Sequence, residues 1–223
     1  MPVAPDKLRI LAIHGYHQSD VIFKKKLGFL RKSFNRELEL TFIRAPHKIP
    51  TENETDKDSK ESGYGWWFNT EDHVFKATVP SDHCIGFEES LELVKKTHQE
   101  QGPFDGILGF SQGAAFATIL CIMQKKNMYP FRFNFAIIIS GFKSLCKLHA
   151  EYYTETIDIP SLHIYGRTDK VIPTDMTEKV CGLFKYCNRV IHDGGHYMPS
   201  QKHVYETFII TMMKKKNELI NSF

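Results

Sequence analysis

Ser111 sits in the one stretch of this chain whose residue types and spacing spell out covalent chemistry. Gly109-Phe110-Ser111-Gln112-Gly113 follows a short apolar run, 104–108, and precedes Ala114-Ala115-Phe116-Ala117, rich in helix formers and small residues. A G-x-S-x-G string between a strand and a helix reads as a nucleophile elbow. This is a sharp turn that lifts the serine hydroxyl above a sheet, with glycines relieving the crowding. A serine hydroxyl is a poor nucleophile until a base removes its proton, and the usual base is a histidine oriented by a carboxylate.

Both partners follow downstream in the order serine, acid, histidine. Leu162-His163-Ile164-Tyr165-Gly166-Arg167-Thr168-Asp169 is an apolar strand, a glycine turn and then an acid. Val190-Ile191-His192-Asp193-Gly194-Gly195-His196 is a second strand, a glycine pair and then a histidine. Asp169 and His196 are therefore the expected orienting acid and general base. Asp175 is a rival placed in the first turn of the next helix, where an acid complements the helix dipole. Asp193 reads as a turn residue in Asp193-Gly194, and Asp105 precedes its strand and belongs to the opposite edge of the sheet. His192 still belongs to the strand.

Acyl transfer also needs donors for the developing oxyanion. The N–H of Gln112, directly after the serine, is one. Leu11-Ala12-Ile13-His14-Gly15-Tyr16 ends an apolar strand in a glycine that lets the Tyr16 N–H turn inward as the second. His14 reads as a brace for that loop rather than a base. His17, His47 and His73 default to surface or packing roles. His192 and His196 have H-x-x-x-H spacing, but two glycines between them make a turn, so they do not share a helix face as metal ligands. The chemistry is expected to need no metal and no organic cofactor.

The elements that must position these residues alternate. Strands are expected over 8–13, 38–44, 106–110, 133–140, 162–165 and 189–192, and helices over 21–35, 82–101, 112–126, 174–184 and 204–220. Near-continuous apolar strands alternating with helices indicate an α/β fold with a mostly parallel central sheet and helices on both faces. The chain is read as a single domain, 1–223, with a polar and aromatic insert at about 46–80. That insert is charged over 51–62 and then switches to Tyr64-Gly65-Trp66-Trp67-Phe68, which holds both tryptophans. Two readings are open for it. The aromatics pin a surface insert to the core, or they wall a substrate pocket as a flap on the carboxyl side of the sheet. In the second reading Trp66, Trp67 and Phe68, with Tyr197 and Met198, are the pocket candidates.

Composition narrows the classes. With 42% hydrophobic residues the chain has ample material for a core. A formal charge of +3, from 29 basic and 26 acidic residues, argues against a nucleic-acid binder. Lys24-Lys25-Lys26 and Lys214-Lys215-Lys216 read as solvated helix faces or ends. Five cysteines without a C-x-x-C pair indicate reduced thiols in the cytoplasm or nucleus. The longest apolar stretch is far too short to span a bilayer, no secretory signal is visible, and no interface pattern sets an oligomeric state.

His14-Gly15-Tyr16-His17-Gln18, the run from Pro103 to Ala115, Gly166-Arg167-Thr168-Asp169 and Gly194-Gly195-His196-Tyr197-Met198-Pro199 together resemble the small serine-hydrolase family of fungi and animals that includes the ovarian-cancer-associated hydrolase. The resemblance runs over nearly the whole chain. It implies a compact α/β-hydrolase fold and activity on carboxylic esters or thioesters, with medium- or long-chain acyl groups. The expected function is hydrolysis of small-molecule or lipid-like acyl esters through an acyl-serine. Alternatives are a thioesterase on protein- or carrier-bound acyl groups, and a non-catalytic α/β-hydrolase scaffold that binds a ligand or partner.

Overall fold

The apolar runs of the sequence assemble into six parallel strands, which lie across the sheet in the order Leu38–Ile43, Leu8–Ile13, Gly106–Phe110, Phe135–Ile139, Ile157–Gly166 and Phe184–His192. The structure is a computed structural model and describes residues 7–49 and 63–221; the charged stretch 51–62 falls outside them. In chain order the elements are β1 (Leu8–Ile13), α1 (Asp20–Lys26), α2 (Gly28–Ser33), β2 (Leu38–Ile43), β3 (His47–Lys48) and β4 (Tyr64–Gly65). Next come α3 (Phe87–Gln101), β5 (Gly106–Phe110), α4 (Gln112–Lys125), β6 (Phe135–Ile139) and a 3-10 helix (Lys147–Thr154). The last are β7 (Ile157–Gly166), α5 (Thr174–Cys181), β8 (Phe184–His192) and α6 (His203–Asn221). This is an α/β-hydrolase fold.

Period-two side-chain alternation splits the core between the two faces of the sheet. Leu8, Ile10 and Ala12 of β1 pack with Phe23, Leu30, Tyr205 and Phe208 of α1, α2 and α6. Leu11 and Ile13 face the other way, onto a cluster that includes Leu91, Phe116 and Ile119 of α3 and α4. Three parallel strands at the centre, β1, β5 and β6, are almost wholly buried, which is why their sequences read as unbroken apolar runs.

Several boundaries differ from the expected ones. The helix expected over 21–35 is two helices, because α1 ends at a cap on Leu27, ahead of Gly28. α3 begins only at Phe87, since Gly86 holds a left-handed φ of 85° that stops the helix from extending back to residue 82. β7 and β8 begin earlier than expected, at Ile157 and Phe184. β8 is the edge of the sheet and exposes much of its length, so no apolar run announces it. Among the described residues, no helix is long and apolar enough to cross a membrane.

The order β2-β1-β5 places the topological switch point between β1 and β5, whose carboxyl ends are Ile13 and Phe110. Open parallel sheets bind ligands in the crevice at that point. Ser111 and Gly15 lie there.

Candidate active site

Ser111 occupies a backbone conformation that most residues avoid, φ 53° and ψ −119°, between β5 and α4. Strain of this kind persists only where the surroundings over-determine it. Two glycines allow it. A Cβ on Gly109 would stand 2.4 Å from the Gly113 carbonyl oxygen, and one on Gly113 would stand 2.3 Å from that of His14. The first contact lets α4 start tight against β5, and the second seats it on the end of β1.

Asp169 and His196 converge on this serine from the loops after β7 and β8. His196 Nε2 lies 3.0 Å from Ser111 Oγ, and His196 Nδ1 lies 2.7 Å from Asp169 Oδ2. The other carboxylate oxygen, Oδ1, accepts from the N–H groups of Val171 at 2.9 Å and Ile172 at 2.8 Å. Burial works to raise the Asp169 pKa. The hydrogen bond from His196 and the two backbone N–H groups outweigh it and hold the carboxyl below the usual range. With Asp169 ionised, His196 carries its proton on Nδ1 and offers Nε2 as acceptor to the serine. The Phe110 ring packs against the imidazole at 4.8 Å between centroids.

Of the two expected oxyanion donors, Gln112 follows Ser111 directly and Tyr16 follows Gly15 just beyond the end of β1. A Cβ on Gly15 would stand 3.3 Å from Ser111 Cβ, so the chain leading into Tyr16 runs directly past that serine. Among the described residues neither the Tyr16 N–H nor the Gln112 N–H has a hydrogen-bond acceptor. His14 braces this loop: its Nδ1–H donates to Gly15 O at 2.8 Å, and its Nε2 accepts from Ala45 N at 3.0 Å. Burial drives its pKa down to about 4, so it stays neutral.

The rival residues stand elsewhere. Asp175 pairs with Lys179 on the surface of α5, and Asp193 meets Arg167 in solvent. Asp105, at the amino end of β5, accepts from Arg9 N and Lys216 Nζ. His192 accepts from Gly194 N and steadies the turn before His196.

The aromatic insert differs from its pocket reading. Trp66 and Trp67 have no accessible surface and Phe68 almost none, so they pin the insert to the core and leave no wall for a ligand. Trp66 Nε1 donates to His14 O at 2.7 Å. The Gln112 side chain joins the two tryptophans, accepting from Trp66 N at 3.0 Å and donating to Trp67 O at 2.7 Å. Nothing in the sequence marked Gln112 for this second task beyond its place after the serine. Tyr197 is half exposed and lies on His192, while Met198 packs into the α6-side core.

A family model described as serine hydrolase (FSH1) matches residues 3–208. The chain belongs to the FSH1 serine hydrolase family. It is 41% identical over 218 residues to esterase OVCA2 of Danio rerio, covering 91% of this chain and 96% of that one. It is 42% identical over 204 residues to the Drosophila melanogaster esterase CG5412, covering 92% and 73%. Among solved structures, Zea mays acyl-protein thioesterase 2 superposes with TM-score 0.63 at 17% identity, covering 96% of each chain. Arabidopsis thaliana SOBER1 superposes with TM-score 0.60 at 16% identity, covering 94% of this chain and 99% of that one. As an FSH1 serine hydrolase, this protein is an ester-cleaving enzyme.

Proposed function

We propose that the protein hydrolyses carboxylic esters of medium or long acyl chains through an acyl-serine intermediate on Ser111. The hydrogen-bonded series Asp169, His196, Ser111 is the observation that carries this reading. His196 Nε2 takes the hydroxyl proton as Oγ attacks the acyl carbonyl, and Asp169 stabilises the imidazolium. The N–H groups of Tyr16 and Gln112 hold the oxyanion. His196 then gives its proton to the departing alcohol. Water, activated by the same nitrogen, releases the acid and restores Ser111.

Exposed apolar side chains support an apolar acyl group. Val171, two residues beyond Asp169, and Tyr197, next to His196, both present surface on the triad's own loops. Labelling by a fluorophosphonate probe tests the nucleophile: the wild type is labelled and Ser111→Ala is not. Equal labelling of both would refute it. A series of p-nitrophenyl esters tests the acyl preference, which fails if acetate is turned over best. Matched oxyesters and thioesters measured side by side decide the leaving group.

A further inference from the structure

Outside the triad, three side chains distant in sequence bring soft-metal ligands together. Cys84 lies in the segment following the tryptophans, Cys146 just before the 3-10 helix and His149 within it. One ligand atom from each lies within 4.8 Å of both others, and Cys84 Sγ stands 3.0 Å from His149 Nε2. We propose that Cys84, Cys146 and His149 form a binding site for a thiophilic divalent cation of the zinc class.

The donor set fits that ion. Two thiolates and an imidazole suit zinc. A tetrahedral zinc centre sets its ligand atoms about 3.5–3.8 Å apart, so the cluster closes around an ion with small side-chain adjustments. The surroundings are those of a metal site as well. His149 Nδ1 lies 2.7 Å from Ser144 Oγ, which fixes the ring so that Nε2 faces the sulfurs, and Ser144 Oγ also accepts from Cys146 N at 3.3 Å. The Trp67 indole N–H is fully buried and has no hydrogen-bond partner among the described residues. The rings of Trp67, Phe87 and Tyr152 enclose His149, while the half-buried Cys84 gives an ion a way in. Three protein ligands leave the fourth position to water. Binding displaces the thiol protons to solvent.

The ion would act as a fastening rather than a reactant. Backbone bonds already join Ser81 to Leu145 and Lys147, so metal at Cys84, Cys146 and His149 would lock the same junction through side chains. Trp67 touches His149 with its ring and Gln112 with its carbonyl, which links the junction to the residue after the nucleophile.

Reduced full-length protein titrated anaerobically with Co²⁺ tests this. The expected result is one ion per chain, with a sulfur-to-cobalt charge-transfer band and the intense visible bands of a tetrahedral site. Zn²⁺ should displace the cobalt and, in excess over its dissociation constant, raise Tm by about 5 °C or more. Cys84→Ser together with Cys146→Ser abolishes the bands. His163, Cys181 and Cys187 form a second cluster of similar donors, so Cys181→Ser with Cys187→Ser is the control and should keep them. Should the first double variant not fold, Cys84→Ala alone, at a half-buried position, is expected to weaken zinc binding about a hundredfold or more. Absence of stoichiometric uptake, bands that survive loss of Cys84 and Cys146, or bands lost only in the control variant would each overturn the proposal.

Discussion

A Cβ on Gly166 would stand 2.2 Å from the carbonyl oxygen of Gly194, so the loops that deliver Asp169 and His196 touch backbone to backbone. The contact partner is main chain and cannot swing aside. Gly166→Ala must push the two loops apart, which lengthens the Asp169–His196 bond first. The expected outcome is destabilisation of about 1–3 kcal/mol and a fall in kcat of about a hundredfold, read from denaturant unfolding and ester turnover. Wild-type turnover in this variant would show that the close approach does not set the geometry of the site.

Asp169→Asn separates orientation from position. Oδ1 keeps its bonds from Val171 and Ile172, so the loop holds, but the amide donates where a carboxylate accepted. His196 is then driven to the tautomer whose Nε2 already carries a proton. Activity should fall about 10³–10⁴-fold with little change in the unfolding midpoint. A loss smaller than about tenfold would remove Asp169 from the mechanism.

Gln112→Ala tests the tie between nucleophile and insert. It leaves the backbone N–H of the proposed oxyanion donor in place but strands two buried groups, the Trp66 N–H and the Trp67 carbonyl. Each unsatisfied group costs about 1–3 kcal/mol, so stability should drop by about 2–6 kcal/mol. Equilibrium unfolding in urea measures it, and a drop under about 1 kcal/mol would mean that the insert is held by its tryptophan rings alone.

The loop brace predicts a pH dependence of stability. Burial holds His14 at about 4, whereas in the unfolded chain it titrates near its ordinary 6.5. Between these values the unfolded chain binds a proton that the folded protein does not. The stabilising contribution is therefore complete above about 6.5 and is lost as pH falls towards 4, by on the order of 3 kcal/mol. His14→Gln, which preserves an acceptor for Ala45 N, should flatten that limb of the curve. Parallel curves for the two proteins would mean that His14 is charged when folded.

The hydrogen-bonded series Asp169, His196, Ser111 was legible because its signals are local. A glycine turn after an apolar strand places a side chain at the carboxyl edge wherever that strand sits in the sheet, so Ser111, Asp169 and His196 needed only the strands to be recognised. The tryptophans were ambiguous for the opposite reason: composition reveals an aromatic cluster but not which way it faces. Only the assembled fold shows Trp66 and Trp67 sealed beneath the site by Gln112. The Cys84–His149 contact spans 65 residues of sequence, with no spacing rule to connect them. The first half of β8 went unread because edge strands carry residues such as Lys185 and Asn188 that suit water and interrupt apolar patterns.

One consequence lies in α4, the helix that Ser111 caps. Twelve of its 14 residues are buried, so it has almost no wet face. A helix surrounded in this way belongs to the last part of a protein to open, and its amides exchange with solvent only when the whole structure comes apart. Ser111 thus caps the slowest-breathing element of the molecule. The exposed apolar surface lies instead on the loops that carry Asp169 and His196, at Val171 and Tyr197.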